Sequence, residues 1–297
     1  MEMFNKASIK ERIGDMKKSN TLLHLKDCEK HFFKLKKKYK IETAYDVVAN
    51  ELPYFKTIQY TEWAHCFSMN PLQQRLRCEQ IEEAYADDAE ITTDFMSYFV
   101  EKATNGTSNK YDHIKDHDIE PREHLIIPLG SNKIKETICA NKLCYLRDKW
   151  EGDIWFKPHP LTTHAIVGEL KDMLGDIVLD RDINMYKLLI GCEVAHLSHM
   201  TESAVYAVAL GKEIDPIDVY NKVHEGSFYH INKFLFNNDD PYNWMQKALN
   251  SPKSGIVNPE LQENWQKQME MYFEYIMDKR EDYKYDYVST TRGYDYR

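Results

Sequence analysis

The sequence predicts an α/β protein whose C-terminal half carries a parallel sheet with helices on both faces. Three observations lead there. Between residues 124 and 217, short apolar runs alternate with amphipathic segments every ~20–25 residues, the rhythm of strand–helix–strand units. Glycines and prolines fall at the ends of those runs, where chain reversals need them. The chain has 297 residues, 42% of them apolar and 29% charged, which suits one large domain or two ordinary ones with a real core.

Taken in order, residues 20–40 read as a helix with a lysine-rich face. "ETAYDVVANE" (42–51) and "FKTIQYTEW" (55–63) contain strand-like runs, and 72–103 reads as one or two helices. "TNGTSNKYDHIKDHDIEPRE" (104–123) is polar, with Gly, Asn and Pro, and is the best candidate for a domain boundary. "HLIIPLG" (124–130) is then a strand ending in Gly, and 133–150 has helical spacing. "DIWFKPHP" (153–160) is a strand and its loop, 165–174 a helix, "DIVLD" (176–180) a strand, and 184–192 a short helix. "EVAHLSHM" (193–200) is a strand, 201–212 a helix closing at Gly211, and "EIDPI" (213–217) a fifth strand. From 228 onward the chain is mostly helical, with its clearest periodicity at 259–282, and it ends in a Tyr-rich stretch. No internal repeat of fixed period occurs.

Several function classes lose support at once. No run approaches ~18 apolar residues, so no transmembrane helix is expected. The N-terminal segment lacks the apolar stretch of a signal peptide, so a cytoplasmic location is expected, in the host cytoplasm if a phage encodes the chain. The six cysteines form no CxxC pair and fit neither a zinc site nor a small disulfide scaffold. The absence of GxGxxG and of GxxxxGK[ST] speaks against dehydrogenase and P-loop readings. Net charge is −9, yet residues 1–40 hold 12 Lys and Arg against 5 Asp and Glu. Such a basic arm on an acidic body attracts a phosphate polymer such as DNA or an anionic membrane surface, or is simply a solvated lysine-rich helix.

Two stretches carry candidate chemistry. In "DIWFKPHPLTTH" (153–164) two prolines forbid a helix and hold Lys157 and His159 on a stiff loop at a strand end, where Lys157 offers a point charge and His159 a hydrogen bond to a phosphate. In "HLSHMTESAVYAVALGK" a strand ends near His199 and a helix starts, so Ser198, Thr201 and Ser203 sit where free N–H groups meet an anion. Thr201 serves there either as an ordinary N-cap or as a phosphate contact, and Glu202 suits a ribose or sugar hydroxyl. Both stretches lie at carboxyl ends of strands in one parallel sheet, the place where such sheets bind ligands.

Strand-KPHP, then "DRDINMYKLL", then strand-S-x-x-T-E-S-x-x-Y-x-A-x-x-x-G-K resembles the donor-binding half of GT-B glycosyltransferases. The nearest forms are bacterial sialyltransferases, CDP-glycerol glycerophosphotransferases and capsule-polysaccharide transferases. The resemblance covers roughly residues 124–217, and it departs where those families often have adjacent Ser/Thr and this chain has "HMTES". It implies two Rossmann-like halves facing a cleft: residues 1–118 on the acceptor side, 119–235 binding a nucleotide sugar, and 236–297 as helices and tail crossing back to the first domain. It implies that His159, Ser198, Thr201 and Ser203 hold the donor phosphates, and Lys157, read from its place on the loop, joins them as a nearby point charge. "TIQYTEWAHCFSMNP" (57–71) loosely resembles the segment that supplies the general base in the glycerophosphotransferases, which makes His65 or Glu62 the base. The scheme requires neither a metal nor a cofactor beyond the nucleotide sugar. In overall style the chain resembles proteins of large phages, some of which glycosylate hydroxymethylated bases in their own DNA. The expected activity is therefore a DNA-modifying glycosyltransferase, with a surface-polysaccharide or glycerophosphate-type transferase as one alternative and a non-catalytic nucleotide-binding module as another.

Overall fold

The computed structural model describes residues 24–45, 56–105, 114–128, 140–218 and 227–280. Residues 1–23, 46–55, 106–113, 129–139, 219–226 and 281–297 lie outside that set, and with them much of the basic N-terminal stretch and the Tyr-rich C-terminal one. The described residues open with α1 (Lys26–Tyr39), β1 (Glu42–Tyr45), β2 (Thr57–Trp63), β3 (Cys66–Pro71) and α2 (Gln74–Ala86). It continues through α3 (Phe95–Thr104), β4 (His124–Ile127), α4 (Ala140–Lys149), β5 (Ile154–Phe156), α5 (His164–Leu174), α6 (Met185–Gly191), β6 (Val194–Leu197), α7 (Ser203–Ala209) and β7 (Glu213–Pro216). It closes with α8 (Ser227–Leu235), α9 (Pro241–Asn250), β8 (Ile256–Val257) and α10 (Trp265–Arg280). The fold is mixed α/β, and it divides into two compact units: Met1–Asp94 with Gln246–Arg297, and Phe95–Met245.

The division corrects the expected boundary at 118. Helix α3 precedes the polar stretch but belongs to the second unit, because its apolar face packs on α6 and α7. Phe99 meets the Tyr206 ring edge-on at 5.7 Å, and both side chains are fully buried. The C-terminal segment rejoins the first unit through specific bonds. Gln80 donates to the carbonyls of Lys253 and Ser254 at 2.9 and 3.0 Å, and Lys279 bridges Glu79 and Glu83. Gly255 closes that return: its φ of +69° and a carbonyl oxygen of Met69 that would stand 2.2 Å from any Cβ both demand glycine.

In the first unit the sheet runs β1-β2-β3-β8. Only β1 and β2 are parallel; β2–β3 and β3–β8 are antiparallel. This mixed sheet differs from the parallel sheet expected of a Rossmann-like half. The cause is the two-residue turn Ala64-His65, whose φ angles of 48° and 62° make the reversed twist that a tight hairpin needs. Alanine rarely adopts positive φ, so the turn is strained at Ala64, and it is held from outside. The His65 carbonyl accepts from His24 Nε2 at 2.8 Å and from Asn258 Nδ2 at 3.4 Å. One sheet face, with Ile58, Phe67 and Met69, packs on Cys28, Phe32 and Leu35 of α1 and on Met269, Tyr272, Phe273 and Ile276 of α10.

In the second unit every strand pair is parallel, in the order β5-β4-β6-β7. Beyond β5 a parallel bridge joins Phe156 to Val178, with the Leu179 N–H donating to the Phe156 carbonyl at 2.9 Å. The chain thus winds outward from β4 through β5 to Val178, then crosses to the other side of β4 for β6 and β7. That is the order of a doubly wound sheet, whose direction reverses between β4 and β6. Helices α4 and α5 cover Ile126, Ile154 and Phe156 in one apolar cluster. Strands β4 to β6 are almost wholly buried, as a sheet covered on both faces requires. Among the described residues, no helix is long and apolar enough to cross a membrane.

Candidate functional site

The carboxyl edge of the second sheet gathers the loops after β5, after Val178, after β6 and after β7. Lys157 is the first residue past β5, and its N–H still donates to the Ile126 carbonyl at 2.9 Å. Its side chain is not the exposed point charge that the sequence suggests. It is 1% exposed, and Nζ donates to the carbonyls of Pro158 at 2.5 Å and Arg181 at 2.9 Å. Burial pushes the ammonium down to about 7, with Asp182 nearby partly opposing that shift.

His159 is half-buried on the same loop. Its Nδ1 accepts the Leu161 N–H at 3.1 Å and its carbonyl accepts the Thr162 N–H at 2.9 Å. A neutral ring held that way carries its proton on Nε2, so it presents an N–H donor. Arg181, past Val178, donates Nη1–H to the Thr162 carbonyl at 2.9 Å. Thr163 then caps α5, its hydroxyl accepting the Ile166 N–H. The Thr162 hydroxyl is buried and has no hydrogen-bond partner among the described residues.

The turn after β6 is organised by a residue that sequence reasoning passed over. The Asp218 side chain is 5% exposed and accepts three bonds: from Ser198 Oγ at 2.5 Å, the His199 N–H at 2.9 Å and His199 Nδ1 at 2.6 Å. Asn232 of α8 donates to the carbonyls of His199 at 2.9 Å and Thr201 at 2.7 Å. The His199 ring meets Phe236 edge-on at 4.8 Å. The signal for Asp218 was present in "EIDPID": a carboxylate directly after the last strand, on the edge where ligands gather.

These contacts revise the hydroxyl set. Ser198 is fully buried, donating to Asp218 and accepting the Met200 N–H at 3.2 Å. Ser203 is 4% exposed and donates to the Met185 sulfur of α6 at 2.9 Å, so its hydroxyl serves helix packing. The Thr201 hydroxyl accepts the Ser203 N–H at 3.3 Å, a local capping bond, while Glu202 is the half-buried residue immediately before α7. Helix α7 has only seven residues, against the twelve expected over 201–212.

The two base candidates lie in the first unit. Strand alternation puts Glu62 on the face of Ile58 and Tyr60, opposite Phe67, which is the face packed under α1 and α10. At 4% exposure beside that core, Glu62 is badly placed to meet an acceptor. His65 is 2% exposed in the strained turn.

A second polar cluster lies on the α4-covered face of the parallel sheet. His196 Nδ1 donates to Asp215 at 2.8 Å, which leaves Nε2 to accept from His124 Nδ1 at 3.1 Å. Trp150 stacks on the His124 ring at 3.8 Å, and burial holds that imidazole below its ordinary range. Among the described residues, no group of three or more His, Cys, Asp and Glu side chains is arranged to hold a metal ion. Comparison with known proteins gave no matching family model, no matching curated protein and no matching solved structure.

Proposed function

We propose that the second unit binds the phosphate of a nucleotide at the carboxyl edge of its parallel sheet, and that the chain is a nucleotide-sugar-dependent glycosyltransferase with this unit as its GT-B-like donor half. The observation that carries the reading is the doubly wound strand order, with the KPHP loop pinned at that edge and His159 turned so that Nε2–H is a donor. The test is a thermal-shift screen of the full chain with CMP, CDP, UDP and GDP, against His159→Ala. One nucleotide at about 100 times its Kd should stabilise by roughly 2.7 kcal/mol, a rise of several degrees, and the variant should lose most of it. If no nucleotide raises the melting temperature, the donor reading is wrong.

The acceptor we propose is a hydroxymethylated base in DNA. Support comes from α1, where Lys26, Lys30, Lys34 and Lys37 are exposed and recur every three or four residues. That row lies opposite the buried Cys28, Phe32 and Leu35, so it forms one cationic face. DNA binding through it should weaken steeply between 50 and 200 mM salt, and Lys30→Glu with Lys37→Glu should reduce the slope. A flat salt response would favour a neutral glycan and the polysaccharide alternative. The burial of both Glu62 and His65 favours a second reading, a nucleotide-binding module without turnover. Release of free nucleotide from a nucleotide sugar in the presence of hydroxymethylated DNA separates the two.

A further inference from the structure

The loops after β5 and after Val178 are sewn together by two bonds running in opposite directions. Lys157 Nζ donates to the Arg181 carbonyl, and Arg181 Nη1 donates to the Thr162 carbonyl, each at 2.9 Å. The second bond fixes one corner of a half-buried guanidinium beside the His159 loop. The rest of that planar fork finds no acceptor among the described residues, and Arg181 forms no ion pair among them. Asp180, the residue before it, pairs instead with Lys171 at 2.8 Å. Asp182 lies close enough to Lys157 to favour its charged form. A half-buried arginine without a carboxylate, on the ligand-binding edge of a doubly wound sheet, is built to receive an anion. An independent sign lies in the same loop: Thr162 is fully buried, and its hydroxyl lacks any partner among the described residues. Native proteins rarely leave such a group unsatisfied unless a ligand or water completes it.

We infer that Arg181, together with His159, makes the phosphate contact of the second unit, and that Lys157 positions this pair from behind without touching the ligand. The ligand class is a phosphate or pyrophosphate group, met by the guanidinium fork in two parallel hydrogen bonds and by His159 Nε2–H. This deepens the nucleotide-binding reading and rests on it for the identity of the ligand, though not for its charge.

The experiment is isothermal titration of the full chain with inorganic pyrophosphate and with CMP, CDP, UDP and GDP at constant ionic strength. Wild type is compared with Arg181→Gln, Arg181→Lys and His159→Ala, each first checked for its unliganded unfolding midpoint. Arg181→Gln should weaken binding at least tenfold. Arg181→Lys keeps the charge but loses the fork, and should fall between that variant and wild type. If Arg181→Gln does not fold, the lysine variant decides: affinity equal to wild type overturns the inference. Nucleotide binding that survives in both arginine variants but fails in His159→Ala overturns the role of Arg181 and leaves the nucleotide reading standing. Pyrophosphate binding lost in Arg181→Gln, with no nucleotide bound more tightly than pyrophosphate, upholds the anion site and removes the nucleotide. Wild type that binds none of the probes overturns both.

Discussion

Replacing Lys157 with methionine is expected to erase a rise in stability between pH 7 and 10. Methionine keeps most of the side-chain volume and removes the ammonium, which is 1% exposed in the folded chain and pushed down to about 7. In the unfolded chain a lysine titrates near ~10.4. Between those values the unfolded state holds a proton that the folded state has released, so stability must climb with pH. Below pH 7 both states are protonated and the contribution is level. The difference between wild type and variant should therefore widen by on the order of 4 kcal/mol from pH 7 to pH 10. Taking the difference also cancels other groups. The buried thiols of Cys28 and Cys66, both raised to about 12, act in the opposite direction above pH 9 because the folded state keeps their protons. At the alkaline end the variant lacks the donor to the Pro158 and Arg181 carbonyls, which adds about 1–3 kcal/mol for each one left unpaired. Urea titrations at unit steps of pH would measure this, and a wild-type advantage that does not change with pH would refute the buried-lysine account.

Asp218→Ala should be the most damaging single change at the carboxyl edge. It orphans three buried donors at once: the Ser198 hydroxyl, the His199 amide and His199 Nδ1. Truncating one partner of such a buried charged network costs about 3–5 kcal/mol. Asp218→Asn keeps the shape and one acceptor oxygen for His199 but turns an N–H toward Ser198, so a smaller loss is expected. Combining Asp218→Ala with Ser198→Ala should cost less than the two single losses added together, because the hydroxyl has already lost its acceptor. Because Asp218 and Asn232 together hold the 198–201 turn, the alanine variant should also bind any edge ligand more weakly than its folded fraction explains. An Asp218→Ala chain that unfolds within 1 kcal/mol of wild type would show that the turn does not depend on this carboxylate.

The alternation of strand and helix across 124–217 was legible because its causes are local. Apolar residues recur at the strand or helical period, and Gly, Pro and small capping residues mark the ends. Every strand of the parallel sheet begins or ends within a few residues of its expected run, although "DIVLD" contributes only the single Val178 bridge after a short 3-10 turn. The hairpin at Ala64-His65 was not legible. Tight turns of this kind normally announce themselves with Asn-Gly or Asp-Gly, and here Ala-His takes their place, with bonds from His24 and Asn258 to the His65 carbonyl. The unit boundary was misplaced for a related reason: α3 looks like the end of a helical stretch, and only its contacts with α6 and α7 assign it to the second unit.

For the site, the sequence by itself determined that phosphate-binding residue types stand at the carboxyl ends of parallel strands, since strand polarity and residue type follow from local pattern. Which of them are engaged within the protein was decided by the tertiary structure alone. Lys157, Ser198 and Ser203 look like ligands in one dimension, yet each is turned inward by a partner 18 to 24 residues away: Arg181, Asp218 and Met185. Arg181 looks like one charge in an acidic stretch, and it gains its place because Lys171 engages Asp180 and the Thr162 carbonyl anchors its guanidinium. Desolvation and hydrogen-bond partnership are set by neighbours that only folding brings together, and they decide whether a cation holds a loop or meets an anion.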